Sequence, residues 1–158
     1  MKVYHTSYTE IRHPNVRCSR NYLDFGKGFY LTTLKRQAEK YAARIAIRHL
    51  QAVLNTYELD TDYGNCLYKR FNTYDEDWLD FVAACRNGVS DYCFDVIEGG
   101  VANDKVFDTI DLYFSGRMSK QDALRRLIYE KPNWQICITK QEIIDTKLSF
   151  IHSELLTL

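Results

Sequence analysis

The chain has 158 residues with 21 Lys+Arg against 21 Asp+Glu, enough for one well-buried domain but no global basic field for bulk nucleic-acid attraction. Cys18, Cys66, Cys85, Cys93 and Cys137 form no CxxC pair, which argues against a disulfide framework or a zinc site. No apolar leader opens the chain and no run of about 18 apolar residues interrupts it, so neither secretion nor membrane spanning is indicated and a cytoplasmic location is expected.

In chain order, Lys2-Val3-Tyr4-His5-Thr6 reads as a short strand, followed by a polar loop from Ser7 to Asp24 broken by Pro14. Gly26 and Gly28 bracket Lys27 ahead of the β-prone Phe29-Tyr30-Leu31-Thr32, a turn into a strand. Thr33 is the expected cap of a helix carrying Ala38, Tyr41, Ala42, Ile45 and Ala46 on one face and running roughly to Leu54. Thr56–Asp60 and Cys66–Phe71 alternate like strands. A second helix is expected from about Asp75 to Arg86, with Trp78, Phe81, Val82 and Cys85 inward and Gly88 just past its end. Cys93–Ile97 is a compact strand candidate leading into Glu98-Gly99-Gly100. A third helix follows Ser119, with Ala123, Leu124, Leu127 and Ile128 inward, and Gln135–Thr139 and Leu148–Ile151 read as closing strands. Strands and helices without regular βαβ alternation predict an α+β domain with a mostly antiparallel sheet.

Three segments concentrate chemistry-bearing residues: Val3–Ser7, Asp24–Thr32 and Asn133–Ile138. Their order and character resemble the ADP-ribosyltransferase fold of the diphtheria-toxin/poly(ADP-ribose) polymerase branch. That branch places a His on a first strand, a Tyr closing a Gly-Lys-Gly-aromatic-Tyr strand, and a Glu or Gln opening a late strand. Within it the chain is most similar to the bacterial DUF3990 family. The closer likeness is carried by Asp24–Thr32, Gln37-Ala38 with Tyr41-Ala42, Trp78 through Phe81-Val82, Asp95–Asp104 and Gln135–Thr139.

The resemblance implies a single-domain fold with a split, mostly antiparallel sheet and flanking helices, and an NAD⁺-dependent mono-ADP-ribosyltransferase. NAD⁺ would be its substrate and no metal would be needed. His5, Tyr30 and Gln135 would form the catalytic set. His5 would hydrogen-bond the adenosine-side ribose, and the backbone at Thr6, beside Ser7, would hold the nicotinamide carboxamide. Tyr30 and Tyr41 would sandwich the nicotinamide ring, with Phe29 in the same binding run. Gln135 would contact the 2′-OH of the nicotinamide ribose. The bond cleaved passes through an oxocarbenium-like state, as in glycoside cleavage, so holding the ribose in place is the main task. By the same likeness, small bacterial transferases of this kind look like toxins with a cognate antitoxin, acting on a macromolecular acceptor. Hydrolysis of NAD⁺ and a catalytically silent NAD⁺- or ADP-ribose-binding module are the competing readings.

Two positions depart from the branch: Thr6 stands where Gly is usual, and Gln135 where Glu is common. An amide cannot ionise or take a proton, which favours transfer of a single unit. Gly28 has an independent reading, since a missing side chain lets a ligand approach the backbone. Read singly, His5 is a structural histidine, Tyr30 a strand core residue and Gln135 an ordinary strand residue. Tyr41 lies on the apolar face of its helix, so core packing weighs at least as much as stacking. Arg12, Arg17 and Arg20 lie in the loop before the Gly-Lys-Gly turn; one could grip the pyrophosphate, Arg20 first, or all three are simply solvated. Asp24 could orient that loop or cap the turn. Asn103 and Asp104 are candidates for an acceptor-facing loop or for turn chemistry.

Overall fold

The computed structural model describes residues 1–157, and among them the chain forms seven strands, five α-helices and a short 3-10 turn. Strands β1 (Lys2–Ser7), β3 (Ala52–Leu59) and β7 (Leu148–Leu156) make one antiparallel sheet in the order β1-β3-β7. A second sheet orders β2 (Phe29–Leu31), β6 (Trp134–Ile138), β5 (Val96–Gly100) and β4 (Tyr68–Arg70) as β2-β6-β5-β4. Its pairs are antiparallel except β4 with β5. The class is therefore α+β with mostly antiparallel pairing.

One bridge, Tyr4 to Thr32, joins the sheets: each residue donates its N–H to the other's carbonyl, at 2.8 and 3.0 Å. Beyond it β1 and β2 separate. Apolar side chains fill two cores because the second sheet is covered on both faces. One face carries Phe29, Leu31, Ile136 and Ile138 toward Val3, Tyr57 and Leu59 of the first sheet. The other carries Ile97 and Cys137 toward Phe25, Trp78, Phe81, Ile110 and Leu127, from the 24–28 turn and from α2 (Glu76–Arg86), α3 (Asp104–Phe114) and α4 (Lys120–Leu127). Helix α1 (Lys35–His49) packs on β1 and β3 through buried Ala38 and Ala42, and α5 (Gln141–Lys147) leads into β7.

Helix α2 starts where the sequence places it, Asp75 accepting from the Trp78 N–H at 2.9 Å, and Ser119 caps α4. Elsewhere the boundaries move. Thr33 does not cap α1; Leu34 holds the cap position without a side-chain bond, and Thr32 Oγ1 accepts the Leu34 N–H instead. The helix ends at His49, where Leu50 turns left-handed (φ 64°), so residues 52–54 belong to β3. A short apolar run fits either period, and burial on both faces of a central strand decides it. Strand β5 begins at Val96 rather than Cys93, and the Cys93 thiol is exposed. Ile128, past the last turn of α4, is 76% exposed rather than inward. Helices α3 and α5 were not anticipated. Asn103, expected in a loop, caps α3 by accepting from the Val106 N–H at 3.1 Å.

Candidate functional site

The pleat determines what each strand shows. Met1 and Leu59 exchange both backbone hydrogen bonds at 2.8 Å, so alternation turns the N–H and C=O of Val3, His5 and Ser7 toward β3. Those of Tyr4 and Thr6 face the other edge. Tyr4 finds Thr32 there; Thr6, two residues on, lies past the bridge. Thr6 is only 6% exposed, and its N–H and C=O meet no partner among the described residues. A buried, unpaired N–H/C=O pair is rare in a folded chain and invites a ligand. The Thr6 side chain is otherwise occupied, Oγ1 donating to the Ala38 carbonyl at 2.7 Å and so tying β1 to α1. Ser7, also buried, closes β1 opposite Val53.

His5 points to the opposite face of β1, its ring 4.4 Å from that of Phe29. Its Nδ1 lies 2.7 Å from the Tyr30 carbonyl. A carbonyl only accepts, so Nδ1 carries the proton and Nε2 of the neutral ring is a bare acceptor. Burial holds the His5 pKa below its ordinary value, outweighing the bond to Tyr30, and keeps that neutral form. The Phe29 ring is buried core beneath His5, edge-on to Tyr57 at 5.7 Å.

Tyr30, Cys137 and Gln135 share the helix-facing side of the second sheet: Tyr30 pairs with Cys137, and Gln135 is two residues along. The Tyr30 hydroxyl donates to the Gly26 carbonyl at 2.6 Å and accepts the Phe25 N–H at 3.0 Å, closing the 25–30 turn on itself. Burial pushes the Tyr30 phenol well above its ordinary pKa and the Cys137 thiol up to about 12, so both stay neutral. The structure thus brings Tyr30 and Gln135 to one face and joins His5 to them through the Tyr30 backbone rather than side chain to side chain.

Gln135 is 8% exposed. Its Nε2 donates to Asp24 Oδ2 at 2.8 Å and to the Gly100 carbonyl at 3.3 Å. Neither partner has a proton to give, so the nitrogen must face inward and Oε1 outward, where no described residue donates to it. Asp24 is the hub: it also accepts the Ala102 N–H at 2.8 Å and pairs with Arg86 of α2, whose guanidinium lies 4.2 Å from the centre of the Phe107 ring.

Helix α1 forms the facing wall. Gln37 clamps the Trp134 backbone both ways, Nε2 to the carbonyl at 3.0 Å and Oε1 from the N–H at 3.1 Å. Arg44 pairs with Asp104 at the start of α3. Tyr41 lies between them on the same stripe, four residues from Gln37 and three from Arg44, so it looks across the gap toward β6 and α3. At 41% exposed it is not a core residue, contrary to the apolar-face reading.

Gly28 has a different reason from the one expected. A Cβ there would sit 2.4 Å from Cys137 Sγ and 2.8 Å from the Ile138 carbonyl, so β6 rather than a ligand occupies the space. Arg20 is exposed and forms no ion pair among the described residues, whereas Arg12 is held by Glu10 at 2.5 Å. Gln37 and Arg86 were missed as site-forming residues; the Gln37-Ala38 dipeptide was the available signal for the first, and nothing local marks the second. A separate open cleft of about 490 Å³ lies behind the 25–28 turn, lined by Tyr22, Lys27, Phe81 and Tyr92, and neither His5, Tyr41 nor Gln135 reaches it.

These features define an α+β protein whose two sheets part beside a buried polar cluster. The chain belongs to the family described as "Protein of unknown function (DUF3990)", whose model matches residues 1–150. No curated protein and no solved structure matches the chain. Among the described residues no helix is long and apolar enough to cross a membrane.

Proposed function

We propose that the chain is an NAD⁺-dependent mono-ADP-ribosyltransferase working at the split between β1 and β2. The observation that carries this reading is the N–H and C=O of buried Thr6, which meet no partner among the described residues. A primary carboxamide is the complement of such a pair: its oxygen accepts the N–H and its NH₂ donates to the C=O. Nicotinamide ends in that group. Tyr41 supplies an exposed ring for stacking on the opposite wall. Gln135 Oε1 and His5 Nε2 are two acceptors with no donor among the described residues, suited to ribose hydroxyls. Arg20, exposed on the loop and without an ion pair among the described residues, is the cation assigned to the pyrophosphate.

In the reaction the C1′–N bond to nicotinamide breaks and C1′ bonds to the acceptor nucleophile, which loses its proton to water; nicotinamide leaves with the bonding pair. Gln135 orients the ribose but cannot take that proton, so the acceptor supplies its own nucleophilicity. The same proposal includes a macromolecular acceptor and a cognate antitoxin as partner, a role resting on resemblance.

Incubation with NAD⁺ labelled in the ADP-ribose moiety tests it. Label in protein or nucleic acid is expected. Free ADP-ribose with nicotinamide would make water the acceptor, and binding without turnover would leave a binding module; either overturns the transferase.

A further inference from the structure

The most densely connected polar group beside the split is Asp24, which the sequence offers as orienting its loop or capping the turn. Asp24 is 6% exposed, and its carboxylate takes three donors from three separate segments: Arg86 of α2, the Ala102 N–H after β5, and Gln135 Nε2 of β6. Ala102 and Gln135 both address Oδ2, each at 2.8 Å, while Arg86 holds Oδ1. A carboxylate so engaged cannot rotate without giving up a bond in the interior.

We propose that Asp24 is the positioning residue of the site: it locks the Gln135 amide nitrogen-inward, so that position 135 offers a ligand one acceptor and no donor. This rests on the NAD⁺ reading above and sharpens it to a selection rule. A ligand must bring a hydroxyl or another donor to Gln135 Oε1. Carboxylates and phosphates, which only accept, are turned away there. An amide free to flip would receive either kind, so the selectivity resides in Asp24 rather than in Gln135 alone.

Surrounding groups leave this arrangement electrostatically simple. Around Asp24 stand Arg86 and Cys85 of α2, Tyr74 ahead of it, Tyr30 of β2 and Cys137 of β6. Burial raises the pKa of both thiols and both phenols, so they stay neutral and Arg86 is the neighbouring charge. A second carboxyl in place of the Gln135 amide would meet Asp24 Oδ2 across a 2.8 Å gap. Two carboxyls that close share a proton. The proton would lie between them, leaving the introduced C=O outward as in the wild type; its loss sets two anions face to face.

The test follows NAD⁺ affinity and thermal stability of wild type, Q135E and D24N from about pH 5 to about pH 8. The ratio of Q135E to wild-type affinity is expected to fall at least about tenfold across that range, because one pKa unit of coupling is a factor of ten. The Q135E melting temperature should fall alongside, relative to wild type. D24N, which frees the amide to turn, should lose at least about tenfold in affinity throughout, as one unsatisfied hydrogen bond implies. A Q135E protein whose stability and affinity track wild type at every pH would overturn the positioning role. If wild type binds no NAD⁺, the functional reading fails. The Q135E melting profile without ligand then decides the Asp24–Gln135 contact: a pH-dependent loss supports it, and a flat difference refutes it.

Discussion

Replacing Thr6 by proline isolates the group on which the functional reading rests. In the middle of a sheet proline removes a ladder bond, but the Thr6 N–H faces the split rather than β3, so T6P leaves the β1–β3 ladder its full set of donors. The substitution also deletes the Oγ1 bond to the Ala38 carbonyl, worth about 1 kcal/mol. T6V deletes that bond while keeping the N–H, and so serves as the reference. With T6P a bound carboxamide oxygen loses its donor inside a buried site, a penalty of about 1–3 kcal/mol. That corresponds to roughly 5- to 150-fold in Kd. Calorimetric titration of NAD⁺ and of nicotinamide into T6P and T6V reads the difference directly, with circular dichroism to show that both fold. Equal affinities in two folded variants would refute the assignment of the Thr6 backbone to the carboxamide.

Gly28→Ala drives a Cβ into Cys137 Sγ and the Ile138 carbonyl, so a destabilisation of at least about 1–3 kcal/mol is expected in denaturant unfolding; an unchanged midpoint would mean the turn does not pack on β6. Arg86→Met removes the counter-ion of buried Asp24 and should cost about 3–5 kcal/mol, read in the same assay. His5 has a folded pKa below its unfolded value of about 6.5, so the unfolded chain takes up the proton first. The stability held by neutral His5 is therefore complete above about pH 6.5 and is lost as pH falls from there through the folded pKa. Melting temperatures between about pH 7.5 and 5 should show this slope in wild type and a shallower one in H5Q; identical slopes would place the titration elsewhere.

What could be read from the residues and what could not divide along physical lines. Helix α2 was legible because a carboxylate cap, four inward apolar residues and a terminal glycine agree with one another. The end of α1 was not, since residues 52–54 suit either period and only their place in the central strand settles them. Seven residues of α5 are too few to display a helical period. Helix α3 does carry one, in Val106, Ile110 and Tyr113, but its start at Asn103-Asp104 reads equally as a turn. At the candidate site, the order of the segments in the chain is what singles out His5, Tyr30, Tyr41 and Gln135. Their orientations were not: the partnership of Asp24 with Gln135 spans 111 positions and that with Arg86 spans 62. The orphaned Thr6 backbone follows from where β2 turns away from β1, a matter of sheet geometry that no residue type announces.

The most direct test of the whole account is a crystal structure of the chain soaked with NAD⁺. The expected result is the carboxamide on the Thr6 N–H and C=O, the ring against Tyr41, and the ribose 2′-hydroxyl within hydrogen-bond reach of Gln135 Oε1. NAD⁺ bound instead in the cleft beside Tyr22 and Tyr92, with the β1–β2 split empty, would contradict it.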